Sequence, residues 1–440
     1  MASTKLTRRA FIGAAGTAGL ALAACGNGGS TASSGTIKGT YEMHVQGYDW
    51  GAGVDRLIIT LDNPIDALEP TDLVVSEHKQ TTDWTAEDFP VIEADFERTV
   101  TAASIKDNTI ELELACSPED GSPFLYTMAT GYNTWSDPYD INISIAEGVE
   151  LTSNGTPVTE FTIEPVAAGK TTSADAWTVD SFEATDGTTF QYAAWEPQEE
   201  SKGLVVWLHG AGEGGTDHTD PYITILANKV VALSEDEFQQ TVGGAHVVAP
   251  QSPTMWMDID GKGTYISTEN SDKVQSIYTE ALEEFIDSYA KKVGADKIVL
   301  AGCSNGGFMT TWMAMNRPDK YAGVVPICEA VPDSLITDEQ IAGLVDLPMY
   351  FVYSKDDTTV DPSVCEEPTI ARLKAAGKTA ETLHVSTSDS VIDTSGEFTN
   401  EDGSPYQYNG HWSWIYFDNN ECECDEDGMK AFDFVAACLA

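Results

Sequence analysis

The chain is poor in positive charge. It carries 23 Lys and Arg against 71 Asp and Glu, a formal net charge of −48 with a pI near 4.1. A surface of that sign repels phosphate backbones and anionic headgroups, which excludes nucleic acid as a partner and electrostatic docking to lipid. Long apolar runs are also missing. The stretch from Ala10 to Ala24 is Ala/Gly-rich and shorter than a stable membrane span, and nothing later is long and apolar enough to cross a bilayer. Between Thr40 and Pro165 the sequence shows neither helical periodicity nor a His, Cys and carboxylate cluster at metal-ligand spacing. Histidine is scarce throughout, with seven in 440 residues, and that scarcity narrows any search for a catalytic base.

What is present divides the chain. Thr7-Arg8-Arg9-Ala10-Phe11-Ile12 resembles a twin-arginine export motif, and Leu22-Ala23-Ala24-Cys25 resembles a bacterial lipobox. The expectation is a signal peptide over 1–24, lipidation at Cys25 anchoring an extracytoplasmic lipoprotein to the membrane, and a flexible tether over 25–39. Twin-arginine export moves folded proteins, so the seven later cysteines need no disulfide framework; Cys303 and Cys328 read as inert small hydrophobes. At this length two domains are expected.

Residues 40–165 read as all-β. Val54–Leu61, Phe96–Ala103 and Thr109–Cys116 are strand-like, Asp107-Asn108 turns between the last two, and Asn154-Gly155 is a strong hairpin signal. Short strands with regular turns suggest an immunoglobulin-like sandwich. A small, polar linker follows at 166–175, and from 176 to 440 strands alternate with helices, as in a doubly wound parallel sheet. Strands are expected at Phe182–Ala184, Phe190–Trp195, Gly203–Leu208, Ala245–Val248, Lys297–Ala301, Ala322–Pro326, Met349–Tyr353 and Thr382–Ser386. Helices are expected over Ser271–Val293, ended by Gly294, and over Gly428–Leu439.

The chemistry gathers around Lys297–Pro318. Gly302, Ser304 and Gly306 form G-x-S-x-G between a continuously apolar strand and a helical repeat, the sequence of a nucleophile elbow. A serine hydroxyl needs a base to take its proton and a carboxylate to orient that base. Two histidines follow Ser304. His384 lies inside a strand, where a structural role is expected; His411 lies in the loop NGHWSW and is the expected base. The acid should follow the strand ending near Tyr353, in SKDDTTVDP, where Asp357 is preferred over Asp356 and Asp361. The oxyanion donors expected are the N–H groups of Asn305 and of Ala211, with Gly212 the alternative, in the loop HGAGEGG, whose His209 shapes the turn.

HGAGEGG, GCSNGG, SKDDTTV and GHWSW, in that order over about 240 residues, resemble an α/β-hydrolase esterase of the group that includes polyhydroxybutyrate depolymerases and prolyl oligopeptidases. GYDWGAGVDRLIITL more loosely resembles the immunoglobulin-like domain that precedes some bacterial esterases of this group. The resemblance implies serine-dependent hydrolysis of a small ester through an acyl-enzyme, with no cofactor or metal. A serine peptidase of the prolyl oligopeptidase type is the alternative, and an inactive surface binding protein a more distant one. Trp256, Tyr265, Trp412 and Trp414 lie in loops that could line the substrate pocket. The acidic turn Glu421–Asp427 reads as solvated, and a polar insertion, Thr387–Tyr408, separates the last strand from His411. The oligomeric state is left open.

Overall fold

The computed structural model describes residues 35–199, 201, 203–215 and 220–440. The expected signal peptide and Cys25 lie outside them. Among the described residues no helix is long and apolar enough to cross a membrane. The chain divides into two compact units.

The first unit comprises residues up to Val45, Gly53–Leu125 and Trp135–Thr171, and it is β-rich. One sheet orders the strands Glu160–Ile163, Thr36–Tyr48, Gly51–Leu61, Thr109–Leu114 and Val100–Lys106. The other orders Val91–Arg98, Leu73–Thr82 and Tyr139–Ile145. Strand formation therefore begins at Thr36, inside the stretch expected as tether. The Asn154-Gly155 turn is there, with both residues at positive φ, but it joins arms of only two residues. The single strand expected over Phe96–Ala103 is broken at Thr99, because Arg98 turns inward. Its guanidinium is fully buried, pairs with Glu77 at 2.9 Å and donates to the carbonyls of Val54 and Ala115 at 2.9 Å each, tying one sheet to the other. Glu77 also meets Lys79 at 2.6 Å and the Tyr139 hydroxyl at 2.6 Å, so this buried charge is compensated on every side.

The second unit is Thr172–Ala440 together with two short excursions from the preceding β-rich stretch, Gln46–Ala52 and Tyr126–Thr134. The sequence expectation is one boundary, at a linker over 166–175, with no part of 40–165 belonging to the second unit. Side-chain packing decides otherwise: Trp50 stacks on Tyr48 at 4.7 Å and meets Phe398 edge-on, while Tyr132 lies against Gly215. Nor is the expected linker structureless, since Gly169–Thr172 forms a strand paired with Thr36–Tyr48.

This unit is built on an eight-stranded sheet, numbered here β1 (Thr178–Glu183), β2 (Thr189–Trp195), β3 (Gly203–Leu208), β4 (His246–Gln251), β5 (Lys297–Cys303), β6 (Gly323–Ile327), β7 (Met349–Ser354) and β8 (Leu383–Ser388). Their order is β1-β2-β4-β3-β5-β6-β7-β8. β2 runs antiparallel to β1 and β4, and all pairs from β4 to β8 are parallel. The central strands are buried along nearly their whole length, which is why they read as unbroken apolar runs.

The helix expected from Ser271 begins only at Thr279. The Ser271 hydroxyl donates to the Lys273 carbonyl and the Thr279 hydroxyl to that of Ser276, so local side chains satisfy backbone groups that a helix would have used. Ile277, which an apolar repeat continued from Ser271 would bury, is 40% exposed. The other end is as expected, with Gly294 in the left-handed conformation at φ 72°. The closing helix spans Ala431–Leu439, starting after the turn at Gly428.

Candidate active site

Strand β5 and the helix Asn305–Asn316 meet at Ser304, whose φ of 55° and ψ of −114° are strained for a residue with a side chain. The strain is held from several directions. The Ser304 N–H donates to the Ile327 carbonyl at 2.8 Å, and its own carbonyl accepts from Phe308 N–H at 2.8 Å. The flanking glycines are required by close approach. A Cβ on Gly302 would lie 2.6 Å from the Leu208 carbonyl oxygen, and one on Gly306 would overlap that same carbonyl. Because the helix can press down onto the end of β3, the serine hydroxyl is left standing at the carboxyl end of the sheet.

His411 reaches that hydroxyl from the loop after β8. Its Nε2 is 2.8 Å from Ser304 Oγ, and its Nδ1 is 2.6 Å from Asp357 Oδ2. The other carboxylate oxygen of Asp357 accepts the N–H groups of Thr359 at 2.8 Å and Val360 at 2.9 Å, which fixes the carboxylate plane and leaves one oxygen for histidine. Asp357 and His411 are both buried. The polar stretch before His411 closes on itself: Tyr408 N–H donates to Val391 O and Asp393 N–H to Tyr406 O, so the loop returns its chain close to where it left the sheet. Trp414 meets the His411 ring edge-on at 5.7 Å.

The rival carboxylates have other partners. Asp356 accepts from the Ser354 hydroxyl at 2.6 Å and from Gln407 at 3.3 Å, and its backbone abuts Gly410, so it braces the histidine loop. Asp361 accepts from the N–H and hydroxyl of Ser363 and lies on the surface.

Ala211 opens a short 3-10 turn, Ala211–Glu213, directly after β3. Pairing of Leu208 with Gly302 brings this turn beside the elbow, and a Cβ on Gly210 would be 3.8 Å from Cys303 Sγ. Among the described residues, the N–H groups of Ala211 and Asn305 donate to no backbone or side-chain acceptor, which leaves both free for an oxyanion. His209 shapes the turn from below. Its Nε2 accepts from Ser252 N–H at 3.0 Å and its Nδ1 donates to the Gly210 carbonyl at 2.5 Å, which defines the tautomer. Burial lowers its pKa to about 4, so the ring is neutral.

Several neighbours were not legible beforehand. The Asn305 side chain accepts the Trp256 N–H at 2.6 Å, locking the elbow to the loop after β4. Glu213 is buried, bonded to Asn133 at 3.3 Å, and pushed up to about 7 by that burial. Asn133 comes from the excursion Tyr126–Thr134, which no local motif connects to the HGAGEGG loop. Glu329 and Glu366 are buried together behind the elbow helix, where desolvation raises both carboxyls and the nearby Glu329 carboxylate further disfavours ionisation of Glu366. The acidity of Glu329 could have been noticed from its place just past β6; its burial could not. Of the four aromatics expected at a pocket, Trp256 is fully buried against Phe190, His209 and Tyr278 and serves as core, whereas Tyr265 is 45% exposed.

A serine hydroxyl, an imidazole, a carboxylate bonded to it and two unengaged N–H groups at a carboxyl sheet edge form an arrangement capable of acyl transfer. Residues 191–394 match the phospholipase/carboxylesterase family. No curated protein matches the chain in sequence. Among solved structures, a thermostable esterase is similar at 21% identity and a TM-score of 0.63, over 87% of this chain and 96% of that one. An S-formylglutathione hydrolase from Agrobacterium tumefaciens (13% identity, TM-score 0.39, 60% of this chain and 95% of that one) and a ferulic acid esterase (15%, 0.35, 48% and 90%) are more distant. With the strand order and the match over 191–394, the second unit has the α/β-hydrolase fold.

Proposed function

We propose that the chain is a serine carboxylic ester hydrolase acting through an acyl-enzyme. The observation that carries this is the unbroken relay from Ser304 Oγ through His411 to Asp357, at 2.8 and 2.6 Å, on a strained elbow. The family matched over 191–394 supports ester over amide chemistry.

In this reading His411 Nε2 takes the Ser304 proton as Oγ bonds to the ester carbonyl carbon. Asp357 holds the Nδ1–H tautomer and stabilises the imidazolium. The N–H groups of Asn305 and Ala211 receive the developing oxyanion. Collapse breaks the C–O bond to the alcohol, which leaves with the proton from His411. Water, deprotonated by the same nitrogen, then attacks the acyl-serine and releases the acid. Tyr126, Tyr132 and Tyr265 gather beside the loop 211–215 and offer an aromatic wall for the substrate.

The two β-sheets of the first unit, pinned by Arg98, support an immunoglobulin-like reading, and HGAGEGG with GHWSW supports kinship with the depolymerase group. The twin-arginine and lipobox sequences support export and anchoring through Cys25. The catalytic proposal is tested with a panel of nitrophenyl esters and aminoacyl-nitroanilides, on the chain and on Ser304→Ala. Ester turnover that disappears in the variant is expected; faster turnover of the anilides would make the enzyme a peptidase instead.

A further inference from the structure

The acidic turn Glu421–Asp427 keeps its carboxylates exposed, as a solvated turn should, but it buries its two cysteines. Asp425 N–H donates to Val385 O at 2.8 Å, and the Asp425 carboxylate accepts from the N–H and hydroxyl of Thr387, so the turn is fastened along β8. Cys424 N–H donates to Met429 O, and Gly428 N–H returns to Cys424 O, which closes the turn. The result brings three ligand-bearing side chains together: a ring nitrogen of His384 from β8, Cys424 Sγ and an Asp427 carboxylate oxygen lie within 4.8 Å of one another, and Nδ1 is the nitrogen that faces Asp427, at 3.5 Å.

The burial pattern is what a plain surface turn lacks. His384 and Cys424 are each 4% exposed, and the imidazole stacks on Tyr350 and meets Phe434 edge-on. Its Nδ1 makes no hydrogen bond among the described residues, although Asp427 Oδ2 is 3.5 Å away. A buried ring nitrogen with no hydrogen bond and only a long approach to one carboxylate is costly and has room for a ligand. Cys422, two residues earlier, turns instead toward Ser386, so Cys424 alone supplies sulfur.

We propose that His384 Nδ1, Cys424 Sγ and Asp427 bind one zinc ion. Tetrahedral zinc, with bonds of about 2.0–2.3 Å, sets its ligand atoms roughly 3.3–3.6 Å apart. The His384–Asp427 separation is there already and a small inward turn of Cys424 completes the set. A nitrogen, a thiolate and one carboxylate select zinc over calcium or magnesium, which take oxygen ligands. Thiolate and carboxylate together neutralise the dication, and binding releases the Cys424 thiol proton to solvent. Asp427 is 44% exposed in its side chain, so the fourth position faces water. The site's place is structural: His384 pairs with Tyr350 in the first turns of β7 and β8, roughly 13 Å along the strands from Ser354, where the catalytic loops leave. The ion would staple the closing segment to the outermost strand of the sheet.

The test uses the full chain, stripped with a chelator and titrated with zinc and with cobalt(II). One equivalent of either metal should bind, cobalt should give a thiolate-to-metal charge-transfer band, and zinc should raise the melting temperature. Cys424→Ser should abolish the band, and Asp427→Asn, at an exposed position that leaves the core intact, should weaken affinity at least about tenfold. Cys422→Ser should retain both. Ester hydrolysis should be unchanged in the stripped chain, which separates this site from the serine chemistry. Absence of stoichiometric binding by the wild type, or a band lost in Cys422→Ser and kept in Cys424→Ser, would overturn the assignment.

Discussion

His411 and His384 are the two histidines that follow Ser304, each lies beside an aspartate, and they stand in different surroundings. His411 sits in a loop at the carboxyl end of the sheet with both ring nitrogens engaged, 2.6 Å from Asp357 and 2.8 Å from Ser304. His384 sits inside β8, stacked on Tyr350, with Nδ1 3.5 Å from Asp427 and outside any hydrogen bond. The lesson is positional. A base needs a side chain that a loop can hold over the elbow, whereas a strand histidine at the other end of the same sheet can only serve the packing or a ligand.

The sharpest way to break this comparison is to remove each histidine in turn. His411→Ala is expected to lower kcat by roughly 10⁴–10⁶-fold, as is Ser304→Ala, while His384→Ala leaves kcat for a nitrophenyl ester unchanged. Comparable losses from both histidines would end the distinction. Their aspartates extend it. Asp357→Asn should cost roughly 10⁴-fold in kcat, because the amide favours the wrong tautomer of His411. Asp427→Asn should cost nothing in ester turnover, and Asp356→Asn, which loosens the Gln407 brace, far less than Asp357→Asn.

A third histidine sharpens the contrast through pH. His209 has its pKa lowered to about 4 by burial, below the ordinary 6.5, so the unfolded chain binds the extra proton between those values. Its contribution to stability is present above about pH 6.5 and falls as pH drops through 4, by roughly 3 kcal/mol in all. Glu213, two residues past Ala211, runs the other way. Its carboxyl is raised from 4.5 to about 7, so the folded state holds the proton and stability declines as pH rises through that window, by a similar roughly 3 kcal/mol. Denaturant unfolding of Glu213→Gln at about pH 5 and about pH 8 checks the sign: the variant should gain on the wild type only at the higher pH. A variant that loses equally at both would show that the carboxyl is not held protonated. The smallest expected effect is at the aromatic wall, where Tyr265→Ala should raise KM for aryl esters several-fold with little change in kcat.

Much of the site could be read from the chain because it is built from local constraints. Gly302 and Gly306 are dictated by the approach of the elbow helix to Leu208, His209 and Gly210 by the turn after β3, and both motifs are contiguous in sequence. The meeting of Asp357 and His411 at one edge follows from strand order, since each strand of a parallel sheet delivers its loop to the same edge. What stayed hidden depends on distant parts of the chain meeting. Asn133 reaches Glu213 from an excursion eighty positions earlier, Arg98 breaks a strand that looked continuous in order to bind Glu77, and the hydroxyls of Ser271 and Thr279 take the Lys273 and Ser276 carbonyls from a helix whose apolar spacing was intact. Burial of Glu329, Glu366 and Cys424 follows from packing alone, and no short pattern of residue types carries it.

The most direct test of the central claim is to label the folded chain with a fluorophosphonate and locate the adduct by peptide mass spectrometry. A single phosphonyl group on Ser304, absent from Ser304→Ala and formed much more slowly in His411→Ala, is the expected result. Labelling that persists in Ser304→Ala, or that falls on another residue, would contradict the assignment of the elbow serine as the nucleophile.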